Sequence, residues 1–119
     1  MWNHPDLIGN MWTNEAEEVG STEDKDGNGY KGDRYGYNFV KNTGIISWTS
    51  AEDTGHGTHV AGTIAAVNNN NEGVGGIAGG DGTENSGVKI MTCQLFEVRM
   101  DVPWQPKQKP SSMLLTMVL

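Results

Sequence analysis

The sequence predicts an α/β fold, a parallel sheet with flanking helices, and three observations carry that expectation. Residues 58–68 read as a helix, with small side chains at Ala61, Gly62, Ala65 and Ala66 and an apolar Val60–Ile64 pair at i,i+4 spacing. A glycine-rich stretch over residues 73–80 follows it and predicts a turn. Residues 88–96 then form an apolar run without clean alternation, as in a strand covered on both faces. A strand that returns after a helix and a turn belongs to a sheet of the α/β type.

The remaining elements are weaker. Residues 8–35 are rich in glycine and acidic side chains and read as loop. Residues 37–40 and 44–48 carry β-favouring side chains between turn signals and predict two short strands. The run Asn68-Asn69-Asn70-Asn71 is the one low-complexity patch and ends the helix. All 17 glycines lie at or before Gly87, whereas Pro103, Pro106 and Pro110 follow it. Prolines so closely spaced remove backbone donors and block helix propagation. Two segments are therefore expected: residues 1–96, which carry the fold, and residues 97–119, a tail of different character.

Composition narrows the function. The chain has 119 residues and a net charge of −7, with 35% apolar and 8% aromatic side chains, a thin supply for a self-sufficient core. Residues 1–96 hold five basic against thirteen acidic side chains and no basic patch, which argues against nucleic acid and anionic membranes as partners. No apolar span reaches membrane-crossing length. A single cysteine, Cys93, cannot form an internal disulfide, and within an apolar run it reads as a buried strand thiol.

Two stretches carry chemistry. The first is His56-Gly57-Thr58-His59-Val60-Ala61-Gly62-Thr63-Ile64-Ala65-Ala66, where small residues let a helix press against a neighbour and fix the direction of His56 at its start. A general base needs such a mounting, because proton abstraction works only within hydrogen-bond reach. His56 and His59 also form an HxxH pair, but a zinc-protease helix places a glutamate between its histidines and none is present. The second is Asp24-Lys25-Asp26-Gly27-Asn28-Gly29-Tyr30, where Asp24, Asp26 and Asn28 alternate as oxygen ligands and Gly29 permits a sharp turn, as in a Ca²⁺ loop. Tyr35 stands where an EF-hand has its bidentate glutamate, so either a simpler calcium loop or a solvated acidic turn is expected. His4 before Pro5 reads as structural, and Asp53 reads as a loop aspartate rather than a partner for His56. Ser111 and Ser112 lack any nucleophile context.

The run HGTHVAGTIAA resembles the active-site histidine motif of the subtilisin-like serine proteases, the subtilases, over eleven successive positions. HPDL at residues 4–7, DGNGYKGDRYGYNFV at 26–40, NNNNEGVGGIAG at 68–79 and GVKIMTCQLF at 87–96 are similar to family segments in the same order. The resemblance implies a partial subtilisin-like α/β fold and a Ser-His-Asp endopeptidase acting on polypeptide substrates. It implies His56 as the catalytic base and Gly57, Thr58 and His59 as its support. It also raises the expectation of structural calcium and of an extracytoplasmic or secreted parent protein. The family's aspartate lies upstream of HPDL and its serine far downstream, and neither context occurs in these residues. Only the histidine of the triad is present, so no activity is expected of these residues alone. The alternative reading is a non-catalytic calcium-binding structural module.

The tail fits no family segment, and the genetic code suggests why. Shifting the frame so that each codon takes the last base of one codon and two of the next forces alanine from Trp104-Gln105 and glycine from Met117-Val118. With permitted bases elsewhere the tail can read VAAKAEAIKYAADNGA, an amphipathic helix like the one expected next in a subtilase. Residues 97–119 are therefore expected to be a frameshift product, the alternative being a genuine divergent tail.

Overall fold

The computed structural model describes residues 2–46 and 55–95 together with the backbone of 114–118. A single 3-10 turn, Ile8–Asn10, is followed by strand β1 (Gly36–Asn38), helix α1 (His56–Ala65), strand β2 (Ile90–Gln94) and strand β3 (Leu114–Val118). The sheet order is β1-β2-β3. β1 and β2 run parallel, with Tyr37 opposite Cys93, and β3 runs antiparallel to β2, with Thr92 opposite Thr116. The parallel pair with a crossover helix is the α/β arrangement that the sequence predicts.

α1 begins two residues earlier than its pattern suggests and ends three residues sooner. Its start is set by Gly55, which takes the left-handed conformation at φ 65° and places His56 as the first helical residue. Its end is set by hydrogen-bond accounting, since the last carbonyls of a helix have no partner inside it. Here nearly every one is claimed from outside. Asn10 donates its side-chain amide to Ala65 O at 3.0 Å and to Gly79 O at 3.1 Å. The glycine-rich turn folds back so that Ile77 N donates to Thr63 O, Ala78 N to Ile64 O and Gly76 N to Ala66 O. The approach is so close that a β-carbon on Gly76 would lie 2.4 Å from Ala66 N, so only glycine fits.

The buried stripe of α1 is made of Gly57, Ala61 and Ala65, spaced one turn apart. These pack on Leu7, Met11 and Ile90 to form the core, with Trp2, Tyr35, Ile64 and Val88 partly buried around it. No side chain on that stripe exceeds a methyl group, which lets the helix backbone approach its neighbours closely, β3 among them.

The predicted strands shorten for identifiable reasons. Val88 N donates to Ala78 O, which commits it to the turn before β2 begins. Phe96 lies outside the described residues. β1 covers 36–38 rather than 37–40 because Asn38 Oδ1 accepts from both Val40 N and Lys41 N and bends the chain away. Gly36 has φ 123° and sits against β2, where a β-carbon would meet Thr92 O at 1.9 Å. Residues 44–46 are not a strand and offer only an Asn38–Thr43 bridge beside them, while Ser47 and Trp48 lie outside the described residues. Cys93 is buried in β2 as a free thiol.

β3 lies within the segment read as non-native, yet its backbone pairs with β2 over five residues. β2 would otherwise present an open edge, and an unpaired row of backbone donors and acceptors recruits any available strand.

Removing the Asn10 amide tests what sets the end of α1. Asn10→Ala leaves the buried Ala65 O without its donor and Gly79 O with the longer Asn68 amide bond alone, and is expected to lower unfolding stability by about 1–3 kcal/mol, read as a lower urea midpoint.

Candidate active site on the histidine helix

His56 sits at the first position of α1 with its side chain exposed, one residue from the buried Gly57. The mounting expected from the sequence is therefore present. Gly57 and Ala61 anchor the near end of the helix in the core, and the turn at 76–78 holds the far end. Thr63 Oγ1 donates to His59 O at 3.0 Å, and His59 N donates to Gly55 O at 2.9 Å in the first turn.

A groove of about 790 Å³ opens beside the helix. Its floor is the face bearing Gly55, Thr58, His59, Gly62, Thr63 and Ala66. The rest of its lining comes from His4, Asp6 and Leu7 and from Gly73, Val74, Gly75 and Ile77, two segments joined by the Val74 amide bond to Asp6. The structure thus brings Thr58 and His59 to the groove, buries Gly57 beneath the helix and leaves His56 at the helix end, outside the groove lining. His4, expected only to shape a turn, does so, because its Nδ1 accepts from Asp6 N at 3.2 Å. It also lines the groove. Asp53, Ser111 and Ser112 lie outside the described residues.

Asp6 is a positioning residue that the sequence reasoning missed. Its side chain is buried, with Oδ2 accepting from Val74 N at 2.8 Å and Oδ1 from Asn70 Nδ2 at 2.9 Å. These bonds tie the amino-terminal segment to the turn that walls the groove. The Val74 amide foremost, then the Asn70 amide, hold its carboxyl below the usual range against the opposing effect of burial, with a smaller contribution from His4. The usable signal was the asparagine run, whose four members divide the work. Asn68 Nδ2 donates to Gly76 O and Gly80 O, Asn69 Nδ2 to Asp81 O and Asn70 Nδ2 to Asp6, while Asn71 takes a left-handed φ of 59°. What looks like low complexity is a set of separate structural roles.

The acidic loop closes on itself. Asp24 accepts from the amides of Gly27, Asn28 and Gly29, and Asp26 Oδ1 accepts from Asn28 N at 3.1 Å. Asn28 Nδ2 donates to Asp26 Oδ2 and to the buried Asp33 Oδ2, and its Oδ1 accepts from Tyr30 N at 2.7 Å. Asn14 donates to Asp26 and Asp33 from the other side, and the Asn14 bond foremost lowers the Asp26 pKa. The sequence reading also missed Glu17, whose buried carboxylate accepts from Lys25 N, Asp26 N and Gly32 N. Carboxylate oxygens of Glu17, Asp24 and Asp26 lie within 4.8 Å of one another. No short motif links Glu17 to the loop, so sequence spacing could not have found it. An all-oxygen group of this kind fits a hard divalent cation.

Comparison with known proteins places this architecture. The subtilase family model matches residues 1–89. The chain is 40% identical over 97 residues to a subtilisin-like protease 1 of Plasmodium berghei, an alignment covering 81% of this chain and 14% of the relative. It is 47% identical over 77 residues to subtilisin-like protease 1 of Plasmodium falciparum, covering 64% of this chain and 11% of that protein. The counterpart in Plasmodium vivax is 46% identical over 79 residues, covering 66% of the chain and 12% of the relative. The chain belongs to the subtilase family of serine endopeptidases. It spans only a small part of the length of these relatives. Among the described residues no helix is long and apolar enough to cross a membrane.

Because the carboxyl of Asp6 is held low, its contribution to stability is complete above the unfolded-state pKa of about 3.9 and is lost as pH falls through the lower folded value. Comparing unfolding free energies of the chain and its Asp6→Asn variant across acid pH should show the difference shrinking toward zero in that window and reaching a plateau above it.

Proposed function

We propose that this chain carries the histidine portion of a serine endopeptidase active site, with His56 as general base and general acid. One observation supports the reading above others: His56 opens a helix that is clamped along its buried stripe and at its far end, within an eleven-residue match to the family's histidine motif. In the complete domain, His56 takes the proton of the attacking serine hydroxyl and returns it to the leaving amine, while an aspartate orients the imidazole. Gly57 lets the helix seat against the core. Thr58 and His59 support the site from the groove side, where a polypeptide substrate or adjoining chain would lie.

Only the histidine of the triad lies within these residues, so proteolysis is proposed for the longer polypeptide and not for residues 1–119 alone. Truncating a triad to one member removes most of its rate acceleration. Residues 97–119 are proposed to be non-native in sequence, as the shifted frame suggests; the family match to residue 89 is compatible with that. An extracytoplasmic location is proposed by family analogy.

A complete domain, with the adjoining regions restored and the frame repaired, should be a phenylmethylsulfonyl-fluoride-sensitive protease. His56→Ala should lower kcat/KM on a peptide substrate by at least about a thousandfold, while leaving the unfolding midpoint nearly unchanged because the side chain is exposed. Retained activity in that variant would remove His56 from the mechanism.

A second reading has its own support in the acidic group. Asp24 and Asp26, with Glu17 added and Asn28 closing the loop, are proposed to hold a structural Ca²⁺ through oxygen ligation. If the serine protease reading fails, this leaves a non-catalytic calcium-binding module. Isothermal titration should show calcium affinity falling at least about tenfold in Asp26→Ala, whereas equal affinity in the two proteins discards the site.

A further inference from the structure

Asn28-Gly29 is a sequence in which deamidation is ordinarily easy, because glycine offers no side chain to hinder attack by its own amide nitrogen. We propose that Asn28 is a deamidation site whose reacting groups are held apart by the hydrogen bonds of the acidic loop and which reacts only when the loop opens, so that the modification is a one-way record of opening. The inference rests on the loop's hydrogen bonds and stands whether or not calcium binds there.

The chemistry requires Gly29 N to attack Asn28 Cγ. The amide proton passes to solvent base, the departing nitrogen takes up a proton from solvent as the Cγ–Nδ2 bond breaks, and ammonia leaves to give a succinimide. Water then opens either imide bond to give aspartate or isoaspartate. Both reacting groups are held elsewhere in the closed loop. Gly29 N donates to Asp24 Oδ2 at 2.9 Å, and the adjoining carboxylate charge disfavours loss of its proton. The Asn28 side chain is fixed at both ends, with Oδ1 accepting from Tyr30 N at 2.7 Å and Nδ2 donating to Asp26 Oδ2 at 3.1 Å and Asp33 Oδ2 at 3.0 Å. Reaching a near-attack geometry means breaking these bonds together.

The product cannot rebuild the loop. Converting the amide to a carboxylate removes the donor that Asp26 and the buried Asp33 share. It also adds a negative charge beside Asp24, Asp26 and Asp33, and like charges at that range repel.

Trypsin cleavage after Lys25 and Lys31 isolates residues 26–31, which makes the modification readable by mass spectrometry. The 119-residue chain would be incubated at mildly alkaline pH with a chelator and compared with a synthetic peptide of residues 26–31. Deamidation in the chain should be slower by at least about tenfold, since several hydrogen bonds must open at once. Denaturing urea should bring the chain to the peptide rate, and Asp24→Ala should recover most of the difference. Asp6→Asn, which loosens a separate turn, should leave the rate where it was. Equal rates in chain and peptide overturn the proposal, as does a rate unmoved by Asp24→Ala or one raised equally by Asp6→Asn.

Discussion

The described fold depends on how the carboxyl end of α1 is satisfied. A helix end buried against other chain must find donors for its last carbonyls, and water cannot supply them there. Asn10 and the backbone of residues 76–78 do so, and in doing it they fix three segments at once: the amino-terminal 3-10 turn, the helix and the glycine turn. Asn10 holds both Ala65 and Gly79, so the turn cannot move without disturbing the helix end. Asp6 adds a second tie from the same amino-terminal segment, to Asn70 and Val74. With a core limited to Leu7, Met11, Ala61, Ala65 and Ile90 and its few neighbours, these polar ties contribute much of what makes the arrangement specific.

The same solution recurs around the acidic loop. Glu17 and Asp33 are buried carboxylates, and an unpaired buried charge is expensive. Among the described residues, neither carboxylate is hydrogen-bonded to a basic side chain. Glu17 is held by backbone amides and Asp33 by the amides of Asn14 and Asn28. The ion pairs of the described residues lie at the surface instead, Lys25–Glu18 at 3.0 Å and Arg34–Glu15 at 3.2 Å, where solvent screening leaves them worth little. Excess negative charge is thus stabilised by oriented dipoles, which demand a defined backbone path. That demand is why asparagine and glycine crowd the segment.

The α/β class, the helix, the small-residue face and the buried thiol were legible because each follows from periodicity or composition local to one element. Gly57, Ala61 and Ala65 announce a close helix contact without any knowledge of the partner. Boundaries were less legible, because they are decided by distant groups: Val88 leaves β2 to bond Ala78, and Asn10 ends a helix that lies 55 residues along the chain. Asp6, Asn10, Glu17 and Asp33 were missed for the same reason. Each is a polar residue whose partner is another segment, and nothing in its neighbours reveals that it is buried. The pairing of β3 with β2 was hidden too, since a reading based on family segments assigns the tail no partner.

The two ends of α1 are built under opposite constraints. At its carboxyl end the carbonyls are bonded and the neighbouring glycines are so close that an added β-carbon on Gly79 would lie 1.8 Å from Ala66 O. At its amino end no atom of the described residues lies within 4 Å of where a β-carbon on Gly55 would be, and His56 and His59 are exposed. In the role proposed for His56, a base must be able to meet a nucleophile carried by another element, so its own approach has to stay clear while its backbone is held still. Packing a histidine into the core would achieve the second and forfeit the first. Clamping the helix from the far end and along a methyl-sized stripe achieves both. This explains why the most legible stretch of the sequence is mainly glycine, alanine and threonine around its two histidines.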